Sequence, residues 1–160
     1  MELDVFLIGI RKTIPLMIGV IPFGLAYGIM GSQAGLTIME IALMSIVVFA
    51  GSAQFMAVGM ISQNIGFLFI IFSTFLINLR HLLMGMSLSP YLKKLRNGWL
   101  YGLAFGMVDE SYAVTINHFQ DSETGEGNPS FMLGSAAGMY IFWIASSVIG
   151  ALLGYSVNDL

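Results

Sequence analysis

The chain lacks cysteine and contains very little charge. None of its 160 residues is cysteine, which excludes disulfides, thiolate metal sites and cysteine nucleophiles. Only 9% of the residues are charged, and Lys and Arg together number 6, whereas a soluble domain carries about 25% charged residues. With so few basic residues and a net charge of −3, the chain has no basic stripe that would suit nucleic acid.

Long apolar runs take the place of the missing charge. Hydrophobic residues make up 57% of the chain and the mean hydropathy is +0.85, and a run of about 20 apolar residues spans a bilayer core. The sequence therefore predicts an all-α, polytopic bundle of membrane helices, a single integral membrane domain over residues 1–160. The five predicted hydrophobic segments are Thr13–Gly31, Ile38–Ile61, Gly66–Pro90, Gly98–His118 and Ser130–Tyr155.

The basic residues give conflicting signals about topology. They precede the first segment and follow the third, and positive flanks prefer the cytoplasm. Both flanks can lie in the cytoplasm only if an even number of membrane crossings separates them. Three predicted segments, an odd number, lie between them. Either Ile38–Ile61 is re-entrant, with a break near Gly51, or the N-terminus lies outside. Both solutions place the acidic loop Asp121–Glu126 on the outer face. The basic flanking residues are Arg11, Lys12, Lys93, Lys94 and Arg96.

Two segments contain residues that weaken a helix near its middle. Pro22 lacks a backbone donor and precedes Gly24 closely, which predicts a helix break in the first segment. Gly51 and Ser52 predict a second break, in Ile38–Ile61. Broken membrane helices occur where the freed backbone lines a cavity, and their half-helix N-termini hold carboxylates in several transporters. Without a ligand, the same features would be a proline kink and small-residue packing.

Charged residues lie at the middle of two further segments. A charge at the bilayer centre costs about 2.5–3.5 kcal/mol, so Arg80, Asp109 and Glu110 are expected to face inward. The two acids are adjacent and about 100° apart on a helix; one is expected to pair with Arg80, leaving the other for a substrate or a proton. The alternative for these charged residues is a purely structural ion pair. The alternative for Asn78 is an interhelical hydrogen bond.

These features predict one substrate site at the membrane midplane, with donors for a carboxylate and an acid for an ammonium group. Nearby apolar side chains at Phe49, Phe55, Met84 and Phe105 would hold an aliphatic tail. The pattern predicts no metal site, no cofactor and no enzyme activity, since the intramembrane residues lack a His-Glu-x-x-His helix or a second aspartate. The predicted substrate-binding residues are Gly51, Ser52, Gln54, Asn78, Arg80, Asp109, Glu110 and Tyr112, and the candidate proton relay is His81 with Glu110.

Four motifs in this order resemble the AzlC family of branched-chain amino acid permeases, the large subunit of a two-component exporter. They are Pro15–Gly24, Phe49–Phe55, Asn78–His81 and Asp109–Ala113. The resemblance implies a multi-pass protein of the bacterial plasma or inner membrane that exports leucine, isoleucine, valine or methionine together with a small AzlD-type membrane subunit. It also implies a chain shortened at its C-terminus, because family members continue with further hydrophobic segments. From the residues alone, a proton or ion channel and another small-solute permease remain open.

Overall fold

The computed structural model describes residues 2–93, 95–122 and 126–158, so Lys94 and Glu123 lie outside the described residues. Every regular element in the described part is helical, which confirms the predicted all-α class. A short 3₁₀ helix, Ser89–Tyr91, follows α5. The α-helices are α1 (Leu3–Gln33), α2 (Ile38–Val47), α3 (Gly51–Ser62), α4 (Phe67–Asn78), α5 (Arg80–Leu88), α6 (Asn97–Phe105), α7 (Asp109–Gln120) and α8 (Pro129–Asn158).

Three helical stretches among the described residues are long and apolar enough to cross a membrane: Leu3–Gln33, Phe67–Tyr91 and Pro129–Ser156. The second of these comprises α4, α5 and the 3₁₀ helix. The other two predicted segments are each divided into two helices, of 10 and 12 residues and of 9 and 12 residues. At a rise of about 1.5 Å per residue these short helices are only about 14–18 Å long. None can cross a hydrocarbon core of about 30 Å alone.

The break predicted at Pro22 and Gly24 is absent, and that prediction is wrong. Helix α1 continues through both residues from Leu3 to Gln33. Proline removes one backbone donor, but neighbouring helices and local adjustments allow membrane helices to continue through it. Gly24 has a packing role instead, because a Cβ there would collide with the side chain of Ser146 on α8.

The described chain forms two compact units. The first comprises Met1–Ile18 and Arg80–Tyr140, and the second comprises Gly19–Leu79 and Ile141–Leu160. Helices α1 and α8 therefore contribute one part to each unit.

Glycines bring α1 and α8 into close contact within each unit. In the first unit a Cβ on Gly134 would collide with the carbonyl of Phe6, and in the second a Cβ on Gly150 would collide with the carbonyl of Leu25. Small residues in membrane helices permit such backbone approach. Gly98 and Gly102 on α6 differ, because a Cβ built on either of them would have no neighbour within 4 Å.

Helices α6 and α7 form a hairpin in the first unit. An open cavity of ≈710 Å³ is lined by Trp99 near the start of α6 and by His118 and Phe119 near the end of α7. Glu2, just before α1, and Tyr91, at the end of the 3₁₀ helix, line the same cavity. Since all these chain positions meet around one cavity, the α6–α7 segment starts and finishes at the same end of the unit.

Hydrogen bonds attach the loop before α8 to that end. The backbone N–H of Gly127 donates to the carbonyl of Tyr91 at 3.0 Å. The side-chain amide of Asn128 donates to the carboxylate of Glu2 at 2.7 Å, and the backbone N–H of Glu2 donates to Ser130 Oγ at 3.1 Å. The start of α1 and the start of α8 are therefore neighbours.

The predicted placement of the acidic loop Asp121–Glu126, across the membrane from the basic residues near Lys93, is wrong. It assumed that Gly98–His118 crosses once. Instead that segment breaks at Gly106–Val108 and returns, so Glu126 and Lys93 line the same cavity. Hydrophobic length alone does not distinguish one crossing from two half-length helices that turn back.

The break expected near Gly51 is present in the second unit. Helix α2 ends at Val47 and α3 begins at Gly51, and Phe49 between them has a φ of 43°. This left-handed conformation is costly for a bulky residue and persists only where its surroundings stabilise it. At the start of α2, Glu40 and Thr37 form a capping box, with the Glu40 carboxylate accepting from the Thr37 backbone N–H at 2.7 Å.

Candidate functional site

An ion pair in the first unit joins α5 to α7. Arg80 Nη1 lies 2.6 Å from Asp109 Oδ2, and the two side chains are 33% and 48% exposed. The predicted pairing of Arg80 with one of the two acids is therefore confirmed, and Asp109 is the partner. The buried Nε of Arg80 has no acceptor among the described residues, so this guanidinium retains hydrogen-bonding capacity.

The start of α7 is held by side-chain bonds that fix the direction of both acids. Ser111 is fully buried; its hydroxyl accepts from the Val108 backbone N–H at 3.0 Å and donates to the Gly106 carbonyl at 2.9 Å. Asp109 and Glu110 thus occupy the first turn of a well-formed helix. The partial positive charge of a helix N-terminus stabilises carboxylates at that position.

The tip of the hairpin lies well inside the first unit. A Cβ on Gly106 would press on Ala136 at 2.6 Å, and the rings of Phe105 and Tyr140 are 5.8 Å apart. Both contact residues lie about 10–17 Å along α8 from Pro129, at about 1.5 Å per residue. The tip therefore contacts α8 well past its first turn rather than at its start.

Glu110 and Tyr112 lie beside the ion pair on α7. Glu110 does not take part in the Arg80 ion pair and is partly exposed. The Tyr112 hydroxyl donates to Ser87 Oγ on α5 at 3.0 Å, a second polar link between the two helices. The first unit thus combines a paired acid, an unpaired acid and a cation whose donors are not all used.

In the second unit the side chain of Gln54 holds the α2–α3 break. Gln54 is completely buried. Its Oε1 accepts from Trp143 Nε1 at 3.0 Å and from the Ala50 backbone N–H at 3.2 Å, and its Nε2 donates to Ser45 Oγ at 3.2 Å. A single amide therefore connects α2, the break, α3 and α8.

Aromatic packing supports the same break. Trp143 stacks on Tyr27 with ring centroids 5.7 Å apart, and the ring of Phe55 lies 5.8 Å from that of Tyr27 at a steep angle. A Cβ on Gly51 would lie 3.1 Å from the Trp143 ring, so the start of α3 lies directly against this indole.

The other predicted site residues occupy different settings. Ser52 is exposed on α3, Asn78 is partly buried at the end of α4, and His81 is partly buried on α5. The second unit contains Gly51, Ser52, Gln54 and Asn78, whereas the first contains Arg80, His81, Asp109, Glu110 and Tyr112. Their contact with a substrate, and the proton relay, remain predictions.

Sequence reasoning missed Ser45, Ser87, Ser111 and Trp143. Serines in apolar helices are common, and nothing in the local pattern separates those that stabilise a break from those that bond their own helix. The tryptophan at the middle of an apolar run was the one detectable signal, because a buried indole N–H needs an acceptor. Among the described residues no group of three or more His, Asp or Glu could hold a metal ion.

Three candidate spanning helices among the described residues and two broken apolar helices define the class: an integral membrane protein built from helices. Broken helices around an intramembrane polar site are a feature of secondary transporters. The profile of the AzlC protein family matches residues 15–157, and the chain belongs to this family.

Relatives in bacteria and archaea are named as membrane or transport proteins. The branched-chain amino acid transport protein AzlC of Bacillus subtilis is 31% identical over 146 residues, covering 91% of this chain and 56% of that protein. An uncharacterized membrane protein of Archaeoglobus fulgidus is 30% identical, covering 91% and 61%. The inner membrane protein YgaZ of Escherichia coli is 27% identical, covering 93% and 61%. The chain thus spans about three fifths of the length of these relatives, and no solved structure matches it.

Proposed function

We propose that this chain belongs to the large subunit of an exporter of branched-chain amino acids, and that Arg80, Asp109 and Glu110 bind the zwitterionic end of the substrate. The observation that carries the proposal is the intramembrane pair of Arg80 and Asp109, which leaves Glu110 outside the ion pair. Intramembrane charges are rare and usually mark a substrate or ion pathway.

The charges of these residues match those of an amino acid. A zwitterion leaving water needs partners for both of its charges, because an unpaired buried charge is costly. Arg80 would bind the carboxylate with donors that Asp109 does not use, including the Nε that lacks an acceptor among the described residues. Glu110, one residue beyond the paired acid, would bind the ammonium group.

Family membership supports the substrate class and the partner. The Bacillus subtilis relative is named as a branched-chain amino acid transport protein, and the resemblance noted in the sequence implies a small AzlD-type membrane subunit. Leucine, isoleucine and valine are the proposed substrates, with methionine as a further one, and export is the proposed direction. The physical role is transport, with no catalytic step assigned to any residue.

Efflux of labelled leucine from preloaded cells tests the proposal. Glu110→Gln and Asp109→Asn are compared with wild type at equal expression, each together with the small subunit. A hydrogen bond to a charged group contributes about 1.5–3 kcal/mol, so loss of the Glu110 charge should slow efflux about 10–100-fold.

Asp121→Asn is the matched control, because Asp121 is an exposed acid beyond the end of α7. It should export leucine at the wild-type rate. Wild-type efflux from both site variants would show that the acids are structural and that the proposed site is wrong.

A further inference from the structure

A second, smaller cavity lies between α5 and α6 in the first unit. Its volume is ≈300 Å³ and most of its lining is apolar. This volume is at the lower end of the range for small-molecule sites, about 300–1,000 Å³. The residues used below are Gly85, Leu88, Leu103, Ala104, Met107 and Met132.

Two residues that line the cavity lie near the ion pair in sequence. Gly85 follows Arg80 by five residues, about 7.5 Å along α5 and about 140° around its axis. On the opposite wall, Met107 precedes Asp109 by two residues at the hairpin tip. A substrate whose charged end contacts Arg80 and Glu110 could therefore extend its apolar end into this space.

Packing does not explain why residue 85 is glycine. A Cβ at Gly85 would meet only Met107 Cε, at an ordinary contact distance of 3.7 Å. Glycine inside a helix is less favourable than alanine by about 0.5–1 kcal/mol. By contrast, a Cβ on Gly134 would collide with backbone. What the missing side chain at Gly85 does provide is volume in the cavity.

We infer that this cavity receives the aliphatic side chain of the substrate and that Gly85 determines how large that side chain can be. The inference rests on the proposed function and adds the subsite for the apolar end. It also replaces the aliphatic contacts expected from the sequence: Phe55 packs on aromatic rings of the second unit, and Phe49 is buried at the α2–α3 break.

The walls suit several branched side chains. Met107 and Met132 line the cavity together with Leu88 and Leu103, and methionine adapts to irregular shapes because its side chain is unbranched and flexible. A methylene in an apolar pocket changes binding by about 1–3 kcal/mol. Leucine, isoleucine and valine should therefore all bind, with modest preferences, and smaller amino acids should bind more weakly.

Filling the cavity from either wall tests the inference. Gly85→Val adds a side chain from α5, and Ala104→Leu adds one from α6. The intact protein with its small subunit is reconstituted in lipid nanodiscs, and unlabelled leucine, valine and alanine compete with labelled leucine. Both variants should weaken the binding of leucine at least 10-fold more than the binding of alanine. The leucine-to-alanine selectivity should therefore fall.

Gly98→Val is the matched control for Gly85→Val. Gly98 lies on α6 and does not line this cavity, and a Cβ built there would have no neighbour within 4 Å. The leucine-to-alanine selectivity of Gly98→Val should therefore equal that of wild type. Thermal unfolding identifies a variant that is misfolded rather than altered in selectivity, and Ala104→Leu provides the second test in that case.

The outcomes separate the two proposals. Leucine binding by wild type with unchanged selectivity in Gly85→Val and Ala104→Leu overturns the subsite and leaves the proposed function intact, and lipid chains would then be the occupant of the cavity. A wild-type complex that binds no amino acid overturns the proposed function and the subsite with it.

Discussion

At the scale of single residues, the Arg80–Asp109 pair determines how the mid-membrane charge is tolerated. Both side chains are partly exposed in the structure, so the pair is weaker than a fully buried one, whose disruption costs about 3–5 kcal/mol. Removing one partner still leaves a charge at mid-depth without its counter-ion. The pair therefore has a structural role in addition to its proposed role in binding.

Arg80→Ala and Asp109→Asn should each destabilise the protein, and the double variant should recover part of the loss. We expect about 1–3 kcal/mol for each single change, the usual cost of an unsatisfied buried polar group. Thermal unfolding in detergent measures it, with Lys93→Ala on the exposed face as control. If the double variant lost as much stability as the two single variants together, Arg80 and Asp109 would not stabilise the protein as a pair.

Gln54 is the corresponding residue at the other break. Gln54→Leu should destabilise α3, because Ala50, Ser45 and Trp143 would all lose their partner and each unsatisfied group costs about 1–3 kcal/mol. The fluorescence of Trp143, measured in a Trp99→Phe background, should change with it, since the indole N–H loses its acceptor.

Gln63→Leu is the control for this change. Gln63 is an exposed glutamine beyond the end of α3 whose side-chain amide donates to the Gly59 carbonyl at 2.9 Å. The same substitution there should leave Trp143 fluorescence unchanged. Equal effects of the two substitutions would mean that Gln54 does not stabilise the break.

At the scale of elements, the two broken helices follow one plan. In each break, the residue just before the second helix donates its backbone N–H to a side chain about one turn later. Ala50 donates to Gln54, and Val108 donates to Ser111.

The two breaks predict two re-entrant hairpins, each with both of its ends at one face of the membrane. Because the chain has no cysteine, single cysteines can be introduced directly. Cysteines at Lys93 and Asp121 should react with an impermeant reagent from the same face as each other, and so should cysteines at Gln33 and Gln63.

Labelling of Lys93→Cys and Asp121→Cys from different faces would show that α6–α7 crosses the membrane. Different faces for Gln33→Cys and Gln63→Cys would show the same for α2–α3. Each hairpin is therefore tested by its own pair of positions.

At the scale of the whole molecule, transport and channel activity make different predictions. A site that binds both charges of an amino acid should saturate and should distinguish L-leucine from D-leucine, because the ammonium and carboxylate partners fix the orientation at the α-carbon. A proton channel would show neither property. We expect saturable, stereoselective leucine efflux that depends on co-expression of the small subunit; linear flux without enantiomer preference would contradict it.

Much of the fold could be predicted because it depends on local composition. Apolar runs fix the helical class, since a backbone in lipid must satisfy its own hydrogen bonds. The break at Gly51 was visible in a run of small polar residues. The pairing of Arg80 followed from the cost of unpaired charge at one depth, although adjacent Asp109 and Glu110 could not be distinguished by position alone.

Only the tertiary structure decided the features that depend on contacts between distant segments. That Gly98–His118 turns back is seen only from the cavity that both its ends line together with Glu2, which lies far away in sequence. Helix α1 continues through Pro22, as membrane helices can where neighbouring groups satisfy the freed carbonyl. Gln54 stabilises a break because Trp143, 89 residues later, donates to it. Composition determines what must be buried or paired, whereas the partners are set by packing.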